Sequence, residues 1–105
     1  MNAHEYTLAL ASALKLKNLT HSCHNVMIAV VSVESEKGFA TIPRVCLALS
    51  CTYQCVMQHF MKNPDLFRFE PGHIPRRYHL TPAAIQLLAD IKKRVDMIGN
   101  QARSA

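Results

Sequence analysis

Three side chains with hydrogen-bonding ends, Gln54, Gln58 and Lys62, recur at intervals of four in the segment CTYQCVMQHFMKN. On a helix that spacing places them in one stripe. A Gln carboxamide offers a donor and an acceptor side by side, which matches the edge of adenine, and Lys matches the acceptors of guanine. The stripe therefore has the chemistry of base reading in a duplex groove. Thr52 and Tyr53 open the same segment, where a hydroxyl and unpaired backbone amides suit a phosphate, and His59 lies on its polar side. Cations follow in LFRFEPGHIPRRYHL, namely Arg68, His73, Arg76 and Arg77, and Arg44 precedes the stripe. Such groups follow a phosphate backbone or enter an adjoining minor groove.

The remaining reactive side chains are thiols and imidazoles. His21, Cys23 and His24 fall within four residues, and Cys51 and Cys55 are one helical turn apart, so either group has two or three zinc donors. Neither forms a Cys-x-x-Cys pair, no four-ligand set has a known spacing, and no metal is expected. A thiol near a helix N-terminus is expected to have a lowered pKa, which makes Cys51 or Cys55 a candidate for oxidation that alters binding. No Gly-rich phosphate loop, carboxylate pair or nucleophile motif is present, so neither catalysis nor a cofactor is expected.

These groups need positioning elements, and the apolar pattern supplies them. Tyr6, Ala9, Leu10, Ala13 and Leu14 mark one face of a helix over 3–17. Thr20 or Ser22 caps a second helix through Val26, Ala29, Val30 and Val33, although NVMIAVVSV would also suit a buried strand. Glu34 to Gly38 reads as a connector, with Phe39 and Ala40 as a short strand. Thr41 with Pro43 opens a helix whose inner face is Ile42, Val45, Cys46 and Leu49. Ser50 to Thr52 turn the chain into the Gln-bearing helix, which is expected to bury Tyr53, Val56, Met57 and Phe60 and to end at a left-handed Asn63 before Pro64. Leu66 to Phe69 and Arg77 to Leu80 read as strands of a hairpin with its tip at Glu70 to Arg76. Thr81-Pro82 starts a last helix, expected to run through about Gly99. Its Ala84, Leu88, Ile91, Val95 and Ile98 follow a heptad seam that implies a partner helix. Gln101 to Ala105 read as a loose tail.

The totals fit one globular domain. The chain has 105 residues, is 50% hydrophobic, and carries a formal net charge of +5, which favours a polyanionic partner. Its four cysteines lie outside any secreted framework, and its longest apolar run is too short to span a bilayer, so a cytoplasmic protein without a membrane partner is expected.

The segment from Thr41 to Leu88 resembles the winged-helix transcriptional regulators of bacteria and their phages, of the multiple-antibiotic-resistance (MarR) and arsenic-repressor (ArsR) types. YHLTPAAIQLL is similar to the MarR-type passage in which the second wing strand ends in Leu-Thr and opens the next helix. Ala84 stands where that passage usually has Gly, and the hairpin GHIPRR lacks the usual Asp-Arg-Arg wing signature. Cys46 lies where metal-sensing ArsR members place Cys-x-Cys, but Leu47 and Ala48 follow it, so no metal site is carried over. The resemblance implies a homodimer built from terminal helices, with two recognition helices on a pseudo-palindromic operator.

The expectation is a mainly α protein with a small β-hairpin wing (α+β), a single winged helix-turn-helix domain over 1–105. Its core spans 20–82, and terminal helices 3–17 and 82–99 dimerise through Tyr6, Leu10, Leu14, Leu88, Ile91, Val95 and Ile98. The expected function is a dimeric, sequence-specific regulator of transcription bound to duplex DNA, most simply a bacterial or phage-encoded repressor associated with the nucleoid. Its DNA-binding residues are Arg44, Thr52, Tyr53, Gln54, Gln58, His59, Lys62, Arg68, His73, Arg76 and Arg77. A rival is a winged-helix adaptor or inhibitor of phage or mobile-element origin that grips an acidic protein. A third reading is a regulator gated by a thiol or by a small-molecule effector that the sequence itself does not indicate.

Overall fold

Threonine hydroxyls punctuate the chain. The Oγ1 atoms of Thr20, Thr41, Thr52 and Thr81 accept the backbone N–H three residues onward, at 3.1, 3.4, 3.2 and 3.2 Å, and so cap four helices. Each such cap is worth about 1 kcal/mol. The computed structural model describes residues 2–104, the last four by backbone alone. Its elements are α1 (Ala3–Leu16), α2 (His21–Lys37), α3 (Ile42–Leu49), α4 (Tyr53–Lys62), β1 (Phe67–Glu70), β2 (Arg77–Leu80) and α5 (Pro82–Ser104). The fold is mainly helical with one antiparallel hairpin, the winged helix-turn-helix expected from the sequence.

Several boundaries differ. The segment from Val26 is helical, and α2 absorbs the expected connector through Lys37, because charged residues also suit the solvent side of a last helical turn. Gly38 then adopts φ 87°, and its N–H donates to the Glu34 carbonyl. Asn63 is not left-handed, with φ −126°; its Nδ2 instead donates to the His59 carbonyl at 2.9 Å and satisfies that end of α4. Strand β1 begins at Phe67, one residue late, since Leu66 is held in the preceding turn by its N–H to the Asn63 carbonyl. Helix α5 continues through Ser104, so the expected loose tail is helical as far as that residue, and Ala105 lies outside the described residues.

Two clusters form the interior. The larger joins α2, α3, α4, the hairpin and the start of α5 through Val30, Val45, Val56, Phe60, Phe67, Leu80 and Ala84. The smaller joins α1 to α5 through Ala9, Ala13, Leu14, Ile91 and Val95. Leu19 and Leu87 touch both, so the terminal helices are continuous with the winged core. This arrangement corrects the heptad reading. The partner helix that Ile91 and Val95 demand is α1 of the same chain, and Leu14, Ile91 and Val95 are each at most 4% exposed. Of the residues expected to dimerise, Tyr6 is half exposed, and Leu10, Leu88 and Ile98 are partly buried. A 3.5-residue repeat specifies a packed face but not which helix covers it.

Candidate nucleic-acid interface

Helix α4 is oriented from inside. Val56 is fully buried and Phe60 is 5% exposed, which leaves Gln54, Cys55, Gln58 and Lys62 on the open side. Thr52, also exposed, is the cap of this helix, and His59 is half-buried beside it. The stripe predicted from the sequence is therefore presented to solvent. Tyr53, expected to be buried, is 53% exposed, because the first residue of a helix lies at the end of its apolar stripe and nothing covers it there. No Asp or Glu lies anywhere from Lys37 to Pro64, so α3, the turn and α4 carry no acidic side chain.

The wing is fastened to α4 by aromatic contact. The Phe60 ring stacks on Tyr78 with centroids 4.3 Å apart and meets Phe67 at 4.8 Å. Register pairs Phe69 with Tyr78 and Glu70 with Arg77, and an isolated bridge adds Ala40 as a third edge through the Tyr78 N–H to the Ala40 carbonyl at 2.8 Å. A cleft of about 240 Å³ runs between α3, α4 and the wing, lined by Pro43, Tyr53, Met57, Pro75, Arg76 and Tyr78. Arg76 thus adjoins the start of the Gln-bearing helix.

The arginines divide between two places. Arg76 lies over the Phe69 ring at 4.4 Å, on the α4 side of the ribbon. Arg77 lies over the Phe39 ring at 3.9 Å, where Arg44 also stacks at 4.0 Å. Consecutive residues entering a strand turn to opposite faces, so Arg76 and Arg77 do not act as twins. Arg68 and His73 belong to a separate polar group. Arg68 Nε donates to His79 Nε2 at 2.9 Å, His79 Nδ1 lies 3.5 Å from Glu70 Oε1, and His73 Nε2 lies 3.4 Å from Glu70 Oε2. Burial pushes the nearby Glu34 carboxyl up, His79 pulls it down and Glu70 raises it again. This acidic and imidazole group offsets the positive charge on that side of the wing.

Sequence reasoning missed Phe39, Phe69 and His79. Phe39 and Phe69 read only as strand residues, and His79 was one of four residues in a strand, but cross-strand register pairs it with Arg68. The thiols also differ from expectation. The Cys51 thiol is raised, first by burial and then by Cys55, and Cys46 is raised chiefly by burial, so the capped turn does not activate Cys51 as its position suggested. All four cysteines are free, and Cys55 is exposed. Among the described residues, no group of three or more His, Cys, Asp or Glu is placed to hold a metal ion, and no helix is long and apolar enough to cross a membrane.

No family model matches the chain, and no curated protein matches it at a significant level. Solved structures do. A point variant of S. aureus MepR bound to an oligodeoxyribonucleotide superposes with a TM-score of 0.83 at 16% identity, covering 97% of this chain and 76% of that one. A crystal structure of the S. aureus MepR–DNA complex gives 0.77 at 16% identity, with 97% and 78% covered. S. aureus MepR bound to ethidium bromide gives 0.75 at 15% identity, with 97% and 75% covered. The winged-helix architecture is shared over nearly the whole chain, and at this identity the likeness is one of fold.

Proposed function

We propose that this chain binds duplex DNA through the open face of α4 and the flanking arginines, and that it regulates transcription as a homodimer, most simply as a repressor. The observation that carries this reading is the acid-free face bearing Gln54, Gln58 and Lys62, with Arg76 adjoining the start of its helix and Arg44 and Arg77 grouped at Phe39. No ion pair to a carboxylate engages these arginines among the described residues. Unpaired guanidinium groups next to a helix of groove-compatible width suit a polyanion that also presents base edges. The MepR complexes support the reading, since the same fold is seen there with DNA. In this proposal Thr52 and Tyr53 hold a phosphate at the start of α4, His59 assists from its side, and Arg68 and His73 take a lesser part because His79 and Glu70 already engage them.

A second copy would cover the terminal helices. Tyr6, Leu8 and Met97 are about half exposed or more, and a largely apolar groove of about 400 Å³ runs past Tyr6, Leu10, Ile28 and Leu88. Exposed apolar surface of this kind favours association. Two copies related by a two-fold axis would present two α4 helices to a pseudo-palindromic site.

The test is a titration of the whole chain against a mixed-sequence duplex at several salt concentrations. Phosphate contacts make log affinity fall linearly with log salt, and Arg76→Ala and Arg77→Ala should each flatten the slope by about one unit. Retention on duplex DNA that neither change affects would instead favour an acidic protein as the partner.

A further inference from the structure

Phe39 lies between the capped end of α2 and the start of α3, outside every regular element, and its ring is half-buried. Two guanidinium groups contact it, Arg44 at 4.0 Å and Arg77 at 3.9 Å from the ring centre. Both guanidinium groups are thus held against the same ring. Arg44 is further fixed because its Nη1 donates to the Phe39 carbonyl at 3.1 Å. That bond uses one of five guanidinium N–H groups and leaves the others free. The backbone beside the ring is held as well. The Ala40 carbonyl accepts the Tyr78 N–H, and the Thr41 hydroxyl accepts the Arg44 N–H.

Like charges held against one ring repel each other, and an anion relieves that repulsion. Among the described residues, no carboxylate forms an ion pair with either guanidinium. Glu70 is opposite Arg77 in the strand register, yet its two oxygens lie toward His73 and His79, and Glu34 interacts with His79. The two cations come from distant parts of the chain, one from the first turn of α3 and one from the first residue of β2. Their common contact is Phe39.

We propose that Phe39 is a positioning residue whose ring holds Arg44 and Arg77 oriented as a preformed pair of donors for neighbouring phosphodiester groups of a DNA strand. The proposal deepens the duplex-DNA reading above and rests on it. Arg44 anchors the helix-turn-helix side of the contact and Arg77 anchors the wing side. The stack fixes both side chains before DNA arrives, so less conformational freedom is lost on binding.

The experiment measures binding of a labelled mixed-sequence duplex to the full chain across a salt series, for the parent protein and for Phe39→Leu, Phe39→Tyr, Arg44→Ala and Arg77→Ala. Thermal melts confirm that each variant is folded at the assay temperature. Phe39→Leu should weaken binding roughly fivefold or more, because two released arginine side chains must then be immobilised when DNA binds. Because no charge is removed, its salt slope should stay that of the parent. Phe39→Tyr should restore affinity. Each arginine change should flatten the slope by about one unit. Parent-like affinity in Phe39→Leu, or no rescue by Phe39→Tyr, overturns the proposal while leaving the DNA reading intact. Parent-like slopes in folded Arg44→Ala and Arg77→Ala overturn it even if Phe39→Leu fails to fold. A parent protein that does not bind the duplex at low salt defeats the DNA reading itself, and the clamp with it.

Discussion

Replacing Phe60 with Leu tests how the wing is coupled to α4. Phe60 is 5% exposed, lies on Tyr78 at a 26° interplanar angle with centroids 4.3 Å apart, and meets Phe67 at 4.8 Å and 49°. Leucine retains most of the apolar burial, so the chief loss is two aromatic contacts worth about 0.5–1.5 kcal/mol each. The change should therefore cost about 1–3 kcal/mol, a lowering of the melting temperature by roughly 4–8 °C per kcal/mol for a domain near this size. Urea unfolding followed by far-ultraviolet circular dichroism measures it, with an unchanged m-value indicating that compactness is preserved. Combining Phe60→Leu with Tyr78→Leu should cost less than the two changes separately, because the stacked pair is lost only once. Strict additivity, or a single-variant loss below about 0.5 kcal/mol, the scale of an ordinary surface change, would refute the reasoning. A loosened wing should also weaken duplex binding without altering the salt slope, since no cation is removed.

Other outcomes follow from the same geometry. Burial, and secondarily His21, holds the His24 imidazole below its ordinary value of 6.5, so the unfolded chain binds the proton first as pH falls. His24 should therefore lower stability as acidification passes that ordinary value and continues toward the depressed one, and His24→Gln should flatten this part of a melting-temperature against pH curve. Cys55 is exposed on the α4 face whereas Cys23 is buried, so a maleimide should label Cys55 and spare Cys23 in the native protein, and saturating duplex should slow the Cys55 reaction when followed by mass spectrometry. Leu8 is 59% exposed on α1, so Leu8→Glu should release monomers in sedimentation while leaving the melting temperature within a few degrees; an unchanged dimer, or a parent protein that is already monomeric, would count against the proposed homodimer.

Much of this arrangement was legible in the residues. Threonine followed by proline marks the starts of α3 and α5, and the alternation around Arg68 and Tyr78 marks the hairpin. The open face of α4 was readable because Val56 and Phe60 fix the helix rotation. Other features needed the third dimension. The last turn of α2 looked like a connector because solvent-facing helix and loop share a charged composition. The start of β2 at Arg77 was readable, but the separation of Arg76 from Arg77 rests on the rings each meets, Phe69 and Phe39, which the hairpin sequence does not reveal. Phe39 carried no signal of its own, since its partners are five and 38 positions away. The seam of α5 was correctly apolar, yet its cover is α1 of the same chain, which spacing alone does not determine.

Hydrogen–deuterium exchange of the whole chain with and without a mixed-sequence duplex at low salt tests the central claim most directly. Slowed exchange should concentrate in the Cys51–Tyr53 turn, α4, the hairpin around Arg76 and Arg77, and the start of α3 near Arg44. Slowing confined to α1 and the far half of α5, or none at all under conditions where the duplex is bound, would contradict the account.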